Sequence, residues 1–176
     1  MQSLLSLALA VLVATTLIGA GAARGLEVNQ KAPDFALRGS DGRTYRLADF
    51  VGKRGFVLAW FPKAFTPGCT AELGSLRDGA AEIGRYDADV FMVSYDSPET
   101  NAAFAKSQNA PQVLLSDPGG EVATAFGVAG ALFAQRWTFY VDKEGVVREI
   151  DRSVETSSAG ADIARRLGEL GFPKRP

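Results

Sequence analysis

The sequence predicts an α/β domain built on a central mixed β-sheet with helices on both sides and a β-hairpin at its N-terminal end. Three observations lead there. The continuous apolar run Phe56–Phe61 and the largely apolar Val90–Tyr95, which includes Ser94, have the pattern of strands buried on both faces. Segments of helical spacing separate and follow them, and late in the chain two short strands flank a glycine-containing turn.

The elements follow in order. Pro33–Leu37 and Thr44–Leu47 flank the turn Gly39-Ser40-Asp41-Gly42 and read as two short strands. After Phe56–Phe61, the stretch Thr70–Arg85 places Leu73, Leu76, Ala80 and Ile83 at intervals of three to four, which predicts one helix with a buried stripe. Val90–Tyr95 is the next strand, and Pro98 opens a helix carrying Ala102, Phe104 and Ala105. Val113–Leu115 is a short strand ended by Ser116-Asp117-Pro118-Gly119-Gly120, and a brief helix carries Val122–Phe126. Trp137–Val141, the turn Asp142–Gly145 and Val146–Ile150 form a hairpin. Ala161–Leu170 closes the domain as an amphipathic helix with Ile163 and Leu167 inward. The order β-α-β-α-β-α-ββ-α is thioredoxin-like in outline.

The beginning of the chain has a different character. Leu4–Ile18 is an uncharged, mostly apolar run, broken only by Ser6, Thr15 and Thr16, and is followed by Gly19-Ala20-Gly21-Ala22-Ala23. A run of fifteen residues is short for a bilayer span but suits the hydrophobic region of an export signal. Residues 1–22 therefore read as a signal peptide cleaved before Ala23, or as an uncleaved membrane anchor, since the amino terminus is the segment's only positive charge. Residues 23–176 then form a single domain in a periplasmic or extracellular setting, large enough for a proper core.

Composition excludes several chemistries. The chain has no histidine, so Ser-His-Asp and Cys-His catalysis and histidine-ligated metal sites are ruled out. A net charge of −1, with no run of Lys or Arg longer than two, gives no footprint for nucleic acid or an anionic membrane. One cysteine, Cys69, precludes an intrachain disulfide.

The setting of Cys69 bears on its use. Thr66 stands at an N-cap position and Pro67 at the first helical position, which puts Cys69 in a first turn where unpaired N–H groups favour an anion. The thiolate is the reactive form of cysteine. The preceding strand ends at the carboxyl edge of the sheet, where open α/β folds place ligands. On these residues alone, Cys69 is either a polarised nucleophile or a small buried hydrophobe beneath a helix cap.

The surrounding residues resemble a known family. Pro62, Thr66 and Cys69 match the peroxiredoxin signature P-x-x-x-T-x-x-C. The longer stretch Phe61–Glu72, with Arg77-Asp78 after it, is most similar to the peroxiredoxin Q (bacterioferritin comigratory protein) branch. Ala32-Pro33-Asp34-Phe35, Leu115-Ser116-Asp117, Phe126-Gly127-Val128 and Arg136-Trp137-Thr138-Phe139 resemble further segments of that family in the same order.

The resemblance implies a thiol peroxidase acting on hydrogen peroxide or organic hydroperoxides, with no metal or organic cofactor. It assigns Cys69 as the attacking thiolate and Arg136 as a fixed cation beside it. Thr66 becomes a hydrogen-bonding partner of thiolate and peroxide, and Pro62 a shield for the pocket. The backbone N–H groups of Gly68 and Cys69 become a peroxide-holding pair. Many members of the branch carry a resolving cysteine five residues after the first, where this chain has Gly74. Resetting Cys69 then requires an external thiol, thioredoxin-, glutaredoxin- or glutathione-like.

Two other readings use the same fold. A non-catalytic binding or holdase-like module would be free to lose Thr66 or Arg136, and both are present. A thiol–disulfide oxidoreductase calls for Cys-x-x-Cys, and the residue three after Cys69 is Glu72. Outside the family pattern, Arg136 reads as a surface residue, Glu72 and Arg77 as surface ion-pairing groups, Trp60 and Trp137 as core, and Asp96–Glu99 as a helix cap. Monomer and dimer are both compatible with the sequence.

Overall fold

A computed structural model describes residues 25–176. The proposed export signal over residues 1–22 lies outside the described residues, among which no helix is long and apolar enough to cross a membrane.

Seven strands form one mixed sheet: β1 (Ala36–Gly39), β2 (Thr44–Arg46), β3 (Gly55–Trp60), β4 (Ala88–Ser94), β5 (Val113–Ser116), β6 (Thr138–Val141) and β7 (Val147–Asp151), in the spatial order β2-β1-β5-β4-β3-β6-β7. The helices are α1 (Pro67–Asp78), α2 (Ala80–Ile83), α3 (Pro98–Ser107), α4 (Glu121–Phe126) and α5 (Ala159–Glu169). The three central strands β5, β4 and β3 run parallel, whereas β6 pairs antiparallel with β3 and β1 antiparallel with β5. The hairpins predicted at both ends are present as β1–β2 and β6–β7. Less visible in the sequence was that the first hairpin would extend the main sheet through Arg38 and Gly39, opposite Ser116 and Leu115.

β3 explains the two-layered core. Successive side chains on a strand point to opposite faces, so Phe56, Leu58 and Trp60 enter one cluster while Val57, Ala59 and Phe61 enter the other. The first cluster is aromatic, with Phe35, Phe50, Phe91, Phe126 and Phe139 packed around Phe56 and Trp60. The second holds Cys69, Leu73 and Leu76 of α1 against Ile163 and Leu167 of α5. Every residue of β3 is buried, and burying each large apolar side chain contributes about 1.5–3 kcal/mol.

The helix predicted over Thr70–Arg85 is two helices that meet at Gly79. The cause lies outside the segment: a side chain on Gly79 would start about 3.0 Å from the backbone of Gly160, at the head of α5. There Gly160 N–H donates to Ser75 Oγ at 3.0 Å. Two glycines thus allow α5 to close onto the end of α1 and bend the path into α2. Strand and helix ends elsewhere depart from expectation by one to three residues.

Candidate active site

Cys69 lies where β3 hands over to α1. Phe61 continues the parallel pairing by donating its N–H to Val93 O at 2.9 Å, and a short loop then leads to Thr66. Thr66 has the extended backbone of an N-cap, with φ −83° and ψ 153°, and Pro67 follows as the first helical residue. The helical ladder starts with Thr70 N–H donating to Thr66 O at 2.9 Å. Gly68 and Cys69 therefore sit ahead of the first such bond, at the positive end of the helix.

The Thr66 side chain does not cap the helix as expected. Its hydroxyl donates to Lys63 O at 2.9 Å, across the loop. A hydroxyl has one proton and two lone pairs, so with its proton on Lys63 the Thr66 oxygen faces other groups as an acceptor. Pro62 is half-buried at the start of the same loop.

Arg136 reaches this region from 67 residues along the chain. The antiparallel pairing of β6 with β3 sets its position: Thr138 lies opposite Ala59, and Trp137 O accepts from Trp60 N–H at 2.9 Å. Arg136 is thereby delivered to the end of β3, after a loop pinned by Gln135 N–H to Val128 O at 2.8 Å. Its Nη2 donates to Cys69 Sγ at 3.2 Å, and Nη1 pairs with Glu72 Oε2. The guanidinium also lies over Gly68, where an added Cβ would be 3.4 Å from Nη2. Arg136 is not the exposed residue that its type alone suggests.

Glu72 corrects the sequence reading more sharply. It is fully buried and pairs with Arg136 instead of forming a surface ion pair. Its position is a consequence of helix geometry, since residues three apart share a face. Cys69, Glu72, Leu73 and Leu76 all fall on the buried side of α1. A carboxylate on the stripe that carries Cys69 and the leucines was the signal in the sequence. Burial pushes Glu72 up to about 7, against the opposing pull of Arg136. Arg136 itself loses from burial but is held further towards its charged form by Glu72 and Cys69. Glu72 Oε1 has no hydrogen-bond partner among the described residues.

Arg77 behaves as a surface group, pairing with Asp78 at 2.8 Å and donating to Gln108 O at 2.9 Å. Trp60 is fully buried and Trp137 packs against the aromatic core, as expected of them. Ser97 caps α3 by accepting from Thr100 N–H at 3.2 Å.

Cys69 is closed over, with no exposed surface. An open groove of about 680 Å³, lined by Arg43, Tyr45, Arg46, Phe50 and Phe91 among others, contains none of these residues. Among the described residues, no three Cys, Asp or Glu groups converge as they would to hold a metal ion. The arrangement is a single thiol at a helix N-terminus, touched by a cation that a buried carboxyl group holds from behind. Chemically it sets a positive charge within hydrogen-bond reach of the sulfur, where it can act on an atom bound beside it.

Known proteins resemble the chain in sequence and fold. Residues 28–150 match the AhpC/TSA family. The chain is 35% identical over 153 residues to peroxiredoxin Bcp of Bacillus subtilis, covering 82% of this chain and 97% of that one. It is 38% identical over 124 residues to chloroplastic peroxiredoxin Q of Populus jackii, covering 69% and 58%. Among solved structures, the peroxidoxin BcpB of Mycobacterium tuberculosis superposes with a TM-score of 0.74 at 33% identity, covering 82% of this chain and 96% of that one. The Gly74 position and the single cysteine mark the chain as lacking a resolving cysteine. Fold, family match and relatives agree: the chain belongs to the AhpC/TSA family and is a peroxiredoxin of the Q/Bcp type, a thiol-dependent peroxidase.

Proposed function

We propose that Cys69 works by a one-cysteine cycle. The Cys69 thiolate attacks the terminal oxygen of a hydroperoxide, forming an S–O bond as the O–O bond breaks. The other oxygen leaves with the electron pair and takes up a proton to become water or an alcohol, and Cys69 becomes a sulfenic acid. An external thiol attacks that sulfur to give a mixed disulfide and water. A second thiol then releases Cys69 and leaves as the oxidised disulfide. A chain with one cysteine offers no internal partner for this step.

The contact between Arg136 Nη2 and Cys69 Sγ, at 3.2 Å, carries the proposal. A fixed cation there stabilises the thiolate before attack and the growing charge on the leaving oxygen during it. Thr66, its proton engaged by Lys63 O, would accept a hydrogen bond from the peroxide O–H. The N–H groups of Gly68 and Cys69 would donate to the peroxide oxygens, and Pro62 would keep bulk water from the sulfur. The substrate class is hydrogen peroxide or organic hydroperoxides, reduced once the enclosed Cys69 thiol is reached. Residues 1–22 read as an export signal, which would place the domain in the periplasm or outside the cell.

The test mixes reduced protein with one equivalent of peroxide and follows the mass of the chain, with Cys69→Ser as control. Rapid addition of one oxygen atom at Cys69, reversed by added thiol, is the expected result. Oxidation at the rate of an ordinary free thiol would overturn the proposal.

A further inference from the structure

The loop that delivers Cys69 contains a strained residue. Phe65 has φ 63°, in the left-handed region where a bulky side chain is a true outlier. It sits between Ala64 and Thr66, and its half-exposed ring rests on Phe104 with centroids 5.0 Å apart. Such a conformation persists only when its surroundings over-determine it.

A buried carboxylate supplies that restraint. Asp96 follows β4, its side chain is 1% exposed, and both of its oxygens point at the loop. Oδ2 accepts from Ala64 N–H at 2.8 Å, and Oδ1 pairs with Lys63 Nζ at 2.8 Å. The carboxylate is itself anchored, since Oδ2 also lies 3.1 Å from Ser94 Oγ, which accepts from Asp96 N–H at 3.2 Å. Ser94 lies 3.3 Å from Asn101 Oδ1, and Asn101 Nδ2 donates to Ser116 Oγ at 2.9 Å and to Leu115 O at 3.2 Å. Ser94, Asn101 and Ser116 are all buried. Buried polar groups thus line up from β5 through α3 and β4 to the residue that precedes Phe65, with the single Ser94 hydroxyl proton available to either Asp96 Oδ2 or Asn101 Oδ1. On the other side of Phe65, Thr66 Oγ–H closes back onto Lys63 O, the residue whose side chain Asp96 holds.

We propose that Asp96 is a positioning residue for the peroxidase reaction: it holds Lys63 and Ala64 so that Phe65 stays left-handed and Thr66 and Cys69 stay in register with Arg136. Its contacts are with the loop, not with Cys69 or Arg136. The role rests on the peroxidase reading of Cys69. With Asp96 truncated, Ala64 N–H loses its acceptor and Phe65 relaxes towards ordinary backbone angles. Thr66 and the first turn of α1 follow.

The experiment measures the second-order rate of Cys69 oxidation by hydrogen peroxide in the full chain. The variants are Asp96→Ala, Asp96→Asn, Phe65→Gly and Asp96→Ala/Phe65→Gly. Asp96→Ala should slow the reaction by about ten- to hundredfold, the range that release of one strained residue spans. Asp96→Asn should remain within about threefold of wild type. Its amide oxygen can take the place of Oδ2, and half-exposed Lys63 can turn to solvent. Phe65→Gly tolerates positive φ without strain, so the double variant should recover to within about threefold of Phe65→Gly alone.

A folded Asp96→Ala protein that reacts at the wild-type rate overturns the proposal. A loss that Phe65→Gly does not relieve also overturns it, because general destabilisation would produce that. If the alanine variant does not fold, Asp96→Ser replaces it; its hydroxyl is one bond too short for Ala64, and the same losses and rescue are required. If wild-type Cys69 reacts only as a free thiol, the peroxidase reading fails instead. Hydrogen exchange at Ala64 N–H then decides the clamp by itself: protection in wild type and its loss in Asp96→Ala support the clamp, and equal exchange refutes it.

Discussion

Arg136→Ala removes a cation that touches both Cys69 and Glu72, so its effects on stability and on chemistry should be separable. Glu72 is fully buried and Arg136 is its ion-pair partner. Truncating one member of a buried pair costs about 3–5 kcal/mol, and the lower end applies here because the Arg136 side chain keeps 21% of its surface exposed. The cost depends on pH with a definite sign. Glu72 is raised to about 7 from 4.5, so the folded state holds its proton more tightly than the unfolded chain does. That contribution is fully present below about 4.5 and is lost as pH rises to about 7, a span of about 3 kcal/mol. Without Arg136, whose charge pulls Glu72 down, the loss continues to higher pH.

Denaturant unfolding of reduced wild type, Arg136→Ala, Glu72→Gln and the double variant at pH 5 and pH 8 reads this directly. Arg136→Ala should lose about 3 kcal/mol relative to wild type at pH 8 and clearly less at pH 5. Glu72→Gln should flatten the decline between the two pH values. The double variant should recover most of the stability, because no buried charge is left unpaired. Its reaction with peroxide should nevertheless stay about 10²-fold or more below wild type, since the sulfur still lacks its cation. Recovery of reactivity together with stability would refute the role given to Arg136. Equal stability of wild type and Arg136→Ala at pH 8 would refute the buried pair.

Other consequences follow from the same geometry. Thr66→Val keeps the shape and removes the hydroxyl bonded to Lys63 O, so Cys69 oxidation should slow by about tenfold with thermal stability lowered by only about 1 kcal/mol; unchanged kinetics would count against Thr66. Gly79→Ala pushes a methyl group to about 3.0 Å from the Gly160 backbone and should cost about 1–3 kcal/mol in denaturant unfolding, whereas a neutral effect would show that α5 can move aside. On the proposed reading of residues 1–22 as an export signal, the intact mass of the protein recovered from the cells that make it should correspond to a chain beginning at Ala23, and an intact Met1 would argue for an anchor or for no export.

Much of the fold was legible because its strands are so apolar. Phe56–Phe61 and Val90–Tyr95 read as strands buried on both faces, which holds for all of the first and for Phe91–Ser94 of the second, and the paired hairpin strands declare themselves through Gly42 and Gly145. The break at Gly79 was not legible, because it depends on Gly160, far along the chain, coming to the same point. At the site, Cys69, Thr66 and Pro67 could be placed from local helix-start chemistry. Arg136 needed the family resemblance, since nothing in its own neighbourhood distinguishes it from a surface arginine. Glu72 was misread because a charged residue one turn into a helix is usually solvated. Its burial follows only from the i, i+3 relation to Cys69 combined with Arg136 arriving from β6. Asp96 read as part of a helix cap, and Ser97 does perform that function, while Asp96 turns the other way towards Lys63 and Ala64.

The most direct measurement follows peroxide consumption and the mass of Cys69 in the same sample, first without and then with an added thiol. A peroxidase thiol that cannot reset itself should consume one equivalent of peroxide rapidly, gain one oxygen atom and stop, then turn over continuously once the thiol is supplied. Slow uptake at the pace of a free cysteine, with no turnover on adding thiol, would contradict it.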